Sequence, residues 1–170
     1  MAAPSGITFR ACTPGDLAAV RDLHTLAFRV LAADQHDMAQ IAAHEALIQA
    51  EAYAVDVARS NLILAHETDS VRLIGTAGWL AMEDRPRTAR IRKVFVHPDM
   101  ARRGLATALV RAAEQAAAAA GYPNLFVRAN INAVPLYEKL GYRAESRGGM
   151  PAGDQLLPVL YMSRPAGQAA

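Results

Sequence analysis

This chain of 170 residues contains a single cysteine, Cys12, and that scarcity excludes several kinds of site. One thiol cannot form a disulfide within the chain, and it cannot build a zinc cluster from several thiolates. No base stands next to Cys12 in the sequence to activate it as a nucleophile. We therefore interpret Cys12 as a structural residue and expect no metal site.

Long apolar runs and targeting signals are missing as well. No stretch of about 18 apolar residues is present that could span a bilayer. Residues 1–6 lack the charged region and apolar core of a secretion signal. The formal net charge is only +2, because 18 Lys and Arg nearly balance 16 Asp and Glu. We expect a cytoplasmic protein that binds neither a membrane nor nucleic acid.

What is present has the composition of a globular protein. Hydrophobic residues make up 52% of the chain and charged residues 20%. A chain of this length can bury one core but is short for two. We therefore expect one domain over residues 7–164, with flexible segments at 1–6 and 165–170.

Apolar periodicity predicts strands and helices of the α/β (α+β) class. The predicted strands cover residues 7–11, 61–67, 73–80, 89–96, 124–128, 142–145 and 156–162. The predicted helices cover residues 14–31, 38–52, 105–120 and 133–140. A right-handed crossover through the third helix would make the strand at 124–128 parallel to the strand at 89–96. A polar interruption at 32–37 separates the first two helices.

The segment from Val96 to Ala106 is typical of a strand that passes through a tight turn into a helix. Backbone amides in the first turn of a helix have no carbonyl partner and carry the positive end of the helix dipole. Gly104 lets a ligand approach the backbone, while Arg102 and Arg103 add positive charge. The segment therefore predicts a phosphate site.

A second segment carries Asn130, Ala133 and Tyr137 in the pattern N-x-x-A-x-x-x-Y, and continues from Tyr137 as Y-E-K-L-G-Y. Together with the loop at 101–106, and in this order, it resembles the GNAT superfamily of acyl-CoA-dependent N-acetyltransferases. The resemblance covers roughly residues 7–164. It implies a mixed, mainly antiparallel sheet that is splayed at its centre and flanked by helices. It also implies acetyl-CoA as cosubstrate, with the CoA pyrophosphate on the loop.

The resemblance also implies which residues contact CoA. These are Val94, Phe95, Val96, Ala101, Arg102, Arg103, Gly104, Leu105, Ala106, Thr107, Asn130, Ala133 and Tyr137. Tyr137 is in addition the catalytic candidate, because a phenol with a pKa near 10 stays protonated at neutral pH and can donate to a departing thiolate. A backbone amide near Val94 would donate a hydrogen bond to the carbonyl oxygen of the thioester.

Contacts to the acceptor are less defined. In the family the connection between the first two helices commonly forms part of the acceptor wall, which makes the polar residues at 34–37 candidates. The candidate acceptor contacts are Asp34, His36, Trp79 and Arg92. The acceptor is expected to be a primary amine on a small molecule or a peptide.

Two positions depart from the family pattern. Ala101 stands where arginine or glutamine is usual, which removes a side chain that can brace the loop. Many relatives carry a glutamate base on the strand before the loop, where this chain has Arg92 and Lys93. The base therefore stays open among four residues of suitable type, which are Glu83, Asp84, His36 and His97.

The resulting hypothesis is transfer of an acetyl group from acetyl-CoA to an amine by direct attack in a ternary complex. A covalent intermediate is disfavoured because Cys12 lies far along the chain from both motifs. The alternative is a catalytically silent acyl-CoA-binding sensor or interaction module. The hypothesis of a generic nucleotide-binding fold is weaker, since no G-x-G-x-x-G or G-x-x-x-x-G-K-[ST] pattern follows a strand. Acyl-chain preference and oligomeric state stay open, with a homodimer as one option.

Overall fold

Seven strands form one mixed sheet in the computed structural model, which describes residues 5–165. The strands are β1 (Ile7–Ala11), β2 (Ile63–Glu67), β3 (Leu73–Ala81), β4 (Thr88–Val96), β5 (Asn124–Asn130), β6 (Arg143–Ala152) and β7 (Gln155–Pro165). Their order across the sheet is β1-β2-β3-β4-β5-β7-β6. Among these neighbours, β4 and β5 run parallel and the others antiparallel. The predicted fold class and the mainly antiparallel sheet are confirmed.

Helices cover both faces of this sheet. They are α1 (Leu17–Leu31), α2 (Met38–Gln49), α3 (Glu51–Ala58), α4 (Leu105–Ala119) and α5 (Val134–Lys139). The sequence predicted one helix over 38–52, but the structure divides it at Ala50, whose ψ of 150° is extended backbone. The break lets α3 take a direction of its own beside the sheet.

Neighbouring residues of β3 show which helix lies on which face. A Cβ atom at Gly75 would lie 2.6 Å from Leu109 Cδ1, so glycine is needed where α4 packs closely on the strand. The next residue, Thr76, is buried and contacts His24 of α1 through its hydroxyl. Because successive strand residues point to opposite faces, α4 and α1 lie on opposite sides of the sheet.

The sheet opens at its centre, between the two parallel strands. Pairing of β4 with β5 runs from Thr88 opposite Asn124 to Ile91 opposite Val127 and extends no further. Beyond these pairs the strands separate, which confirms the predicted splay. The opening leaves the second half of β4 without a neighbour on its β5 side.

A bulge at Lys93 accompanies this opening. Lys93 has a φ of +52°, and the register with β3 shifts at the same place. Strict alternation along the sequence would place Ile91, Lys93, Phe95 and His97 on one face of β4, but the structure departs from it. Ile91 pairs with Trp79 and Phe95 pairs with Thr76, which are on opposite faces of β3. The extra residue of the bulge reverses the phase of the side chains.

The hairpin of β6 and β7 is longer than predicted. The sequence suggested a Gly- and Pro-bearing connection after residue 145, whereas β6 continues to Ala152 and turns at Gly153, whose φ is +58°. Gly148 is needed inside the strand because a Cβ atom there would lie 2.5 Å from the ring of Tyr161. Close approach of an aromatic ring thus explains a glycine that resembled a turn signal.

Two further observations concern the ends of the chain and the length of its helices. β1 begins at Ile7 and β7 ends at Pro165, and of the predicted flexible ends at 1–6 and 165–170, residues 1–4 and 166–170 lie outside the described residues. The predicted domain boundaries stay a prediction. Within residues 5–165, every helix is too short or too polar to cross a membrane.

Candidate active site

The first cavity, here called the loop cavity, has a volume of about 640 Å³ and lies between α1, the end of β4, the loop before α4, and α5. Eleven of the thirteen predicted CoA contacts line it: Val94, Phe95, Val96, Ala101, Arg102, Gly104, Ala106, Thr107, Asn130, Ala133 and Tyr137. The other two do not. Leu105 is buried in the core with 1% of its surface exposed, and the side chain of Arg103 points to solvent.

The start of α4 gives the loop cavity its anion-binding character. Gly104 precedes the helix with a φ of +81°, and Arg102 has a φ of +61°. The first helical hydrogen bond runs from the amide of Ala108 to the carbonyl of Gly104, at 3.0 Å. The amides before Ala108 therefore have no helical acceptor, and no side chain caps them. These free donors and the helix dipole fit a diphosphate such as that of CoA.

The second cavity, here called the arginine cavity, has a volume of about 420 Å³ and lies on the α2 and α3 side of the sheet. Tyr53 and Asp56 of α3 and His44 of α2 form one wall. The sheet contributes four cationic side chains, which are Arg90, Arg92, Lys93 and Arg128. The cavity thus opens where β4 and β5 separate.

The two cavities share part of their lining. The residues that line both are Val94, Phe95, Asn130, Ala133 and Tyr137. They belong to the splayed end of β4, the end of β5 and the start of α5. A molecule in one cavity would therefore meet a molecule in the other cavity beside Tyr137.

Tyr137 of α5 is 4% exposed and lines both cavities. Burial, with a smaller effect of the charge on Glu114, raises the pKa of the phenol above its ordinary value, so it stays protonated. The hydroxyl makes no hydrogen bond to any residue of the described chain. It is a proton donor without a protein acceptor.

One carboxylate serves two of the four cations in the arginine cavity. Asp56 contacts the guanidinium of Arg92 at 2.5 Å and the ammonium of Lys93 at 2.8 Å. Burial opposes ionisation of Asp56, but the hydrogen bond from Lys93 and the charges around it keep its pKa below the usual value. Burial lowers the pKa of Lys93 to about 8, although Asp56 opposes that shift. The ammonium also lies 3.7 Å from the ring centre of Tyr53.

Arg90 and Arg128 have no such partner. Neither guanidinium makes a hydrogen bond or an ion pair with residues 5–165. Burial, and then the charges of Arg128 and Arg92, lower the pKa of Arg90 to about 10. Burial also lowers the pKa of Arg128. These two cations are partly desolvated and uncompensated.

A buried hydrogen-bond chain holds Tyr53 in the cavity wall. His24 is fully buried, with Nδ1 2.6 Å from Tyr53 Oη and Nε2 2.8 Å from Thr76 Oγ1. Thr76 donates its own proton to the carbonyl of Lys93 at 2.7 Å, so it must accept from His24 Nε2. His24 Nδ1 then accepts from the phenol of Tyr53. His24 is thus a core histidine whose two ring nitrogens both have a partner.

Of the four candidate acceptor contacts, only Arg92 lines either cavity. His36 is buried and stacks on Phe28 at 5.0 Å, which explains its place in the helix connection as packing. Asp34 is exposed on the short 3₁₀ turn before α2. Trp79 packs against Tyr122 at 5.4 Å, away from both cavities.

The candidate bases also lie elsewhere. His97, the residue after β4, contacts Arg72 at 3.0 Å and lines neither cavity. Glu83 and Asp84 lie on the turn between β3 and β4 and line neither cavity. None of these groups faces the junction at Tyr137, and the base stays unassigned.

Sequence reasoning missed most of the arginine cavity, namely Tyr53, Asp56, Arg90, Lys93 and Arg128. A signal was present. Parallel central strands are usually continuous runs of apolar residues, yet β4 carries three cations in four positions and β5 carries Arg128. Charges inside such strands indicate a site rather than a core.

Comparisons with known proteins agree with this geometry. In the solved structures, a GCN5-related N-acetyltransferase from Rhodopseudomonas palustris is 26% identical with a TM-score of 0.84, covering 97% of each chain. The PaiA N-acetyltransferase from Thermoplasma acidophilum, in complex with coenzyme A, is 16% identical with a TM-score of 0.75, covering 94% of this chain and 98% of its own.

The ribosomal-protein-S18-alanine N-acetyltransferase from Escherichia coli is 21% identical with a TM-score of 0.64, covering 96% of each chain. A comparison with curated protein sequences finds no match. The model of the acetyltransferase (GNAT) family matches residues 17–142, which include α1, the loop cavity and α5. The chain belongs to the GNAT acetyltransferase family.

Proposed function

We propose that this protein transfers an acetyl group from acetyl-CoA to a primary amine by direct attack in a ternary complex. The observation that carries the proposal is that two cavities share Tyr137 in their lining. One cavity offers main-chain donors for a diphosphate, and the other is large enough for a small acceptor. Direct transfer needs such an arrangement, because both substrates must be present at once.

Acetyl-CoA is the cosubstrate, and when bound it supplies an activated thioester. The amides from Arg102 to Thr107 would hold its diphosphate, as the resemblance implies. The unpaired half of β4, from Val94 to Val96, and the side chain of Asn130 would flank its arm. These residues fit because the strand has no hydrogen-bonding neighbour on the β5 side beyond Ile91.

In the transfer, the amine nitrogen forms a bond to the carbonyl carbon and the bond from that carbon to sulfur breaks. Negative charge develops first on oxygen and then on sulfur, so each needs a donor. The amide near Val94 would donate to the oxygen. Tyr137, which its raised pKa keeps protonated, would donate its proton to the sulfur, and the proton that the attacking nitrogen loses would return to the phenolate oxygen.

The acceptor must attack as a neutral amine. Cations close to a bound ammonium disfavour its charged form and lower its pKa. Arg90, Arg92, Lys93 and Arg128 surround the arginine cavity, so the neutral amine is favoured there. This arrangement eases loss of the ammonium proton, which would pass to solvent, and so compensates for the glutamate base that many relatives carry.

The alternative, a silent acyl-CoA-binding module, is not favoured. A sensor of CoA needs the loop cavity alone, whereas this chain has a second cavity that is lined by the same tyrosine, Tyr137. A packing role would not explain why Tyr137 lies between them without a hydrogen-bond partner.

The proposal is tested by measuring CoA release from acetyl-CoA against a panel of primary amines, with hydrolysis in the absence of amine as the baseline. We expect release that depends on the amine, with one acetylated product formed per CoA. Mass spectrometry of the intact protein during turnover is expected to find no acetylated protein. An isolable acetyl-protein that passes its acetyl group to the amine would contradict direct attack, and release without an amine product would contradict transfer.

A further inference from the structure

The arginine cavity has far more positive charge than its own residues compensate. Four cations line it, and the carboxylate of Asp56 is the acidic side chain among its lining residues. Asp56 is already engaged with Arg92 and Lys93. The charges of Arg90 and Arg128 therefore remain without an anion.

Burial makes this imbalance costly. The Nε atoms of Arg90 and Arg92 are buried and have no hydrogen-bond partner in the described part of the chain. Moving a cation from water without a partner is unfavourable, and neighbouring like charges add to the cost. A cluster of this kind in a cavity indicates a binding site, since an anionic ligand would compensate the cost.

The sheet brings these arginines to one place. Arg90 pairs with Phe126 across the parallel strands, so the two side chains are on the same face. Arg92 follows two residues after Arg90, and Arg128 follows two residues after Phe126, which keeps both on that face. Arg92 and Arg128 thus stand on either side of the point where the strands separate.

We propose that the acceptor is a small primary amine that also carries an oxyanion, either a carboxylate or a phosphate, and that Arg90 and Arg128 bind the oxyanion. This inference rests on the proposed acetyl transfer. Guanidinium groups bind carboxylates and phosphates through paired hydrogen bonds, and two free guanidinium groups offer several such donors. The volume of about 420 Å³ is sufficient for a molecule the size of an amino acid.

The place where the two cavities meet determines how such a molecule is oriented in the arginine cavity. Asn130, which lines both cavities, is two residues after Arg128 on β5, a distance of about 7 Å along a strand. An oxyanion held at Arg128 therefore leaves the amine of a short molecule near Tyr137. The cations that attract the oxyanion also repel an ammonium, so the anchor and the reactive end are distinguished by charge.

The test compares matched amines that differ only in the oxyanion. The probes are L-amino acids against their amides, and phosphoethanolamine against ethanolamine, which separate the carboxylate source from the phosphate source. We expect kcat/KM for the oxyanion-bearing member of at least one pair to exceed that of its neutral partner by about 10-fold or more. Calorimetric titration of the CoA-bound protein is expected to show the same preference in binding.

Variants identify the arginines responsible. Arg128→Gln and Arg90→Gln are each expected to reduce the preference by about 10-fold while leaving CoA affinity unchanged. Arg59→Gln, which removes one exposed charge away from both cavities, is expected to leave the preference intact. Because Arg90 and Arg128 have no hydrogen-bond or ion-pair partner among residues 5–165, both variants are expected to fold, and circular dichroism checks this.

Each outcome has a distinct meaning. Equal binding and equal turnover of both members of every pair would overturn the oxyanion proposal and leave acetyl transfer intact. Failure of every oxyanion-bearing probe to bind would also overturn it. Selective binding that depends on Arg128, but without acetylation of any amine, would support the oxyanion site and contradict the proposed function.

Discussion

The two cavities that meet at Tyr137 both present positive charge, but they are built in different ways. The loop cavity takes its donors from the main chain of one contiguous segment, from Arg102 to Thr107. The arginine cavity takes its positive charge from side chains on β4 and β5. One site depends on backbone conformation and the other on which side chains the fold brings together.

This difference indicates how each cavity responds to substitution. Backbone amides remain whatever the side chain is, so the loop cavity is sensitive mainly to changes of conformation. Side-chain cations are lost with a single substitution, so the arginine cavity can change its ligand without loss of the fold. Such a division suits a protein that keeps one cosubstrate and varies its acceptor.

The largest expected effect is at the residue that the two cavities share. Tyr137→Phe removes the hydroxyl and keeps the ring, so we expect kcat to fall by about 100-fold or more and the Kd for CoA to stay within about two-fold. Steady-state kinetics and calorimetry measure the two quantities. Unchanged kcat would show that the junction has no chemical role.

The matched control is Tyr142→Phe. Tyr142 packs against Tyr137 with ring centres 5.4 Å apart, but its hydroxyl donates to Glu114 at 2.9 Å and lines neither cavity. Its loss is expected to lower the free energy of unfolding, because Glu114 loses a buried donor. Turnover of the folded variant should be close to that of the original protein.

The next prediction concerns pH, because the arginine cavity contains a titratable histidine whereas the loop cavity relies on backbone amides. His44 lines the arginine cavity and stacks on Phe28 at 3.7 Å, and burial, followed by the charges of His36 and Lys93, lowers its pKa to about 4. The unfolded chain, with an ordinary histidine pKa near 6.5, binds more protons between these values. The free energy of unfolding is therefore expected to decrease by about 3 kcal/mol from this residue as the pH falls from 6.5 to 4.

His44→Phe tests this prediction. The buried Nδ1 of His44 has no partner within residues 5–165, so phenylalanine should be accommodated without loss of a hydrogen bond. Denaturation across this pH range is expected to show a smaller decrease for the variant than for the original protein. Identical pH dependence of the two proteins would mean that His44 is not the responsible group. The donors of the loop cavity are amides and do not titrate.

These differences also explain how far the sequence alone was informative. Gly104 and Tyr137 could be predicted because a contiguous segment carries each of them with its neighbours. Arg128 lies 36 positions after Arg92, and only the register of β4 with β5 brings the two together. The register and the splay are properties of the whole sheet, so no local pattern contained them.

The bulge at Lys93 is another feature that the local sequence pattern did not predict. Alternation along β4 was correct for each half of the strand, but one residue with a positive φ reversed the phase between them. Trp79 shows the opposite error. Its chemistry suggested an acceptor contact, while the pairing of β3 placed it against Tyr122.

A smaller effect is expected from Gly104→Ala, which tests the role of conformation in the loop cavity. Gly104 has a φ of +81°, and a Cβ atom there would meet no atom within 4 Å, so strain and not a clash is expected. A left-handed non-glycine residue costs about 1–2 kcal/mol, and the loop can relieve this by turning its amides away. We expect the Kd for CoA to rise about 10-fold.

Gly121→Ala is the control for this prediction. Gly121 lies just beyond the other end of α4, with a φ of +91° and equally open surroundings. Its substitution should produce similar strain and a similar loss of stability without any change in CoA affinity. If both variants weakened CoA binding equally, general destabilisation would be the cause of the effect.

The smallest effect is expected at Ala101, where the family usually has arginine or glutamine. Ala101→Gln adds a side chain that can brace the loop, and one net hydrogen bond contributes about 1 kcal/mol, so the Kd for CoA should fall by about three-fold. Ala101→Met provides a side chain of similar length without the amide and is expected to leave the Kd unchanged. Calorimetry with both variants therefore shows whether a cavity that relies on the main chain still gains from a side chain. Equal affinities of the two variants would indicate that the backbone alone determines CoA binding here.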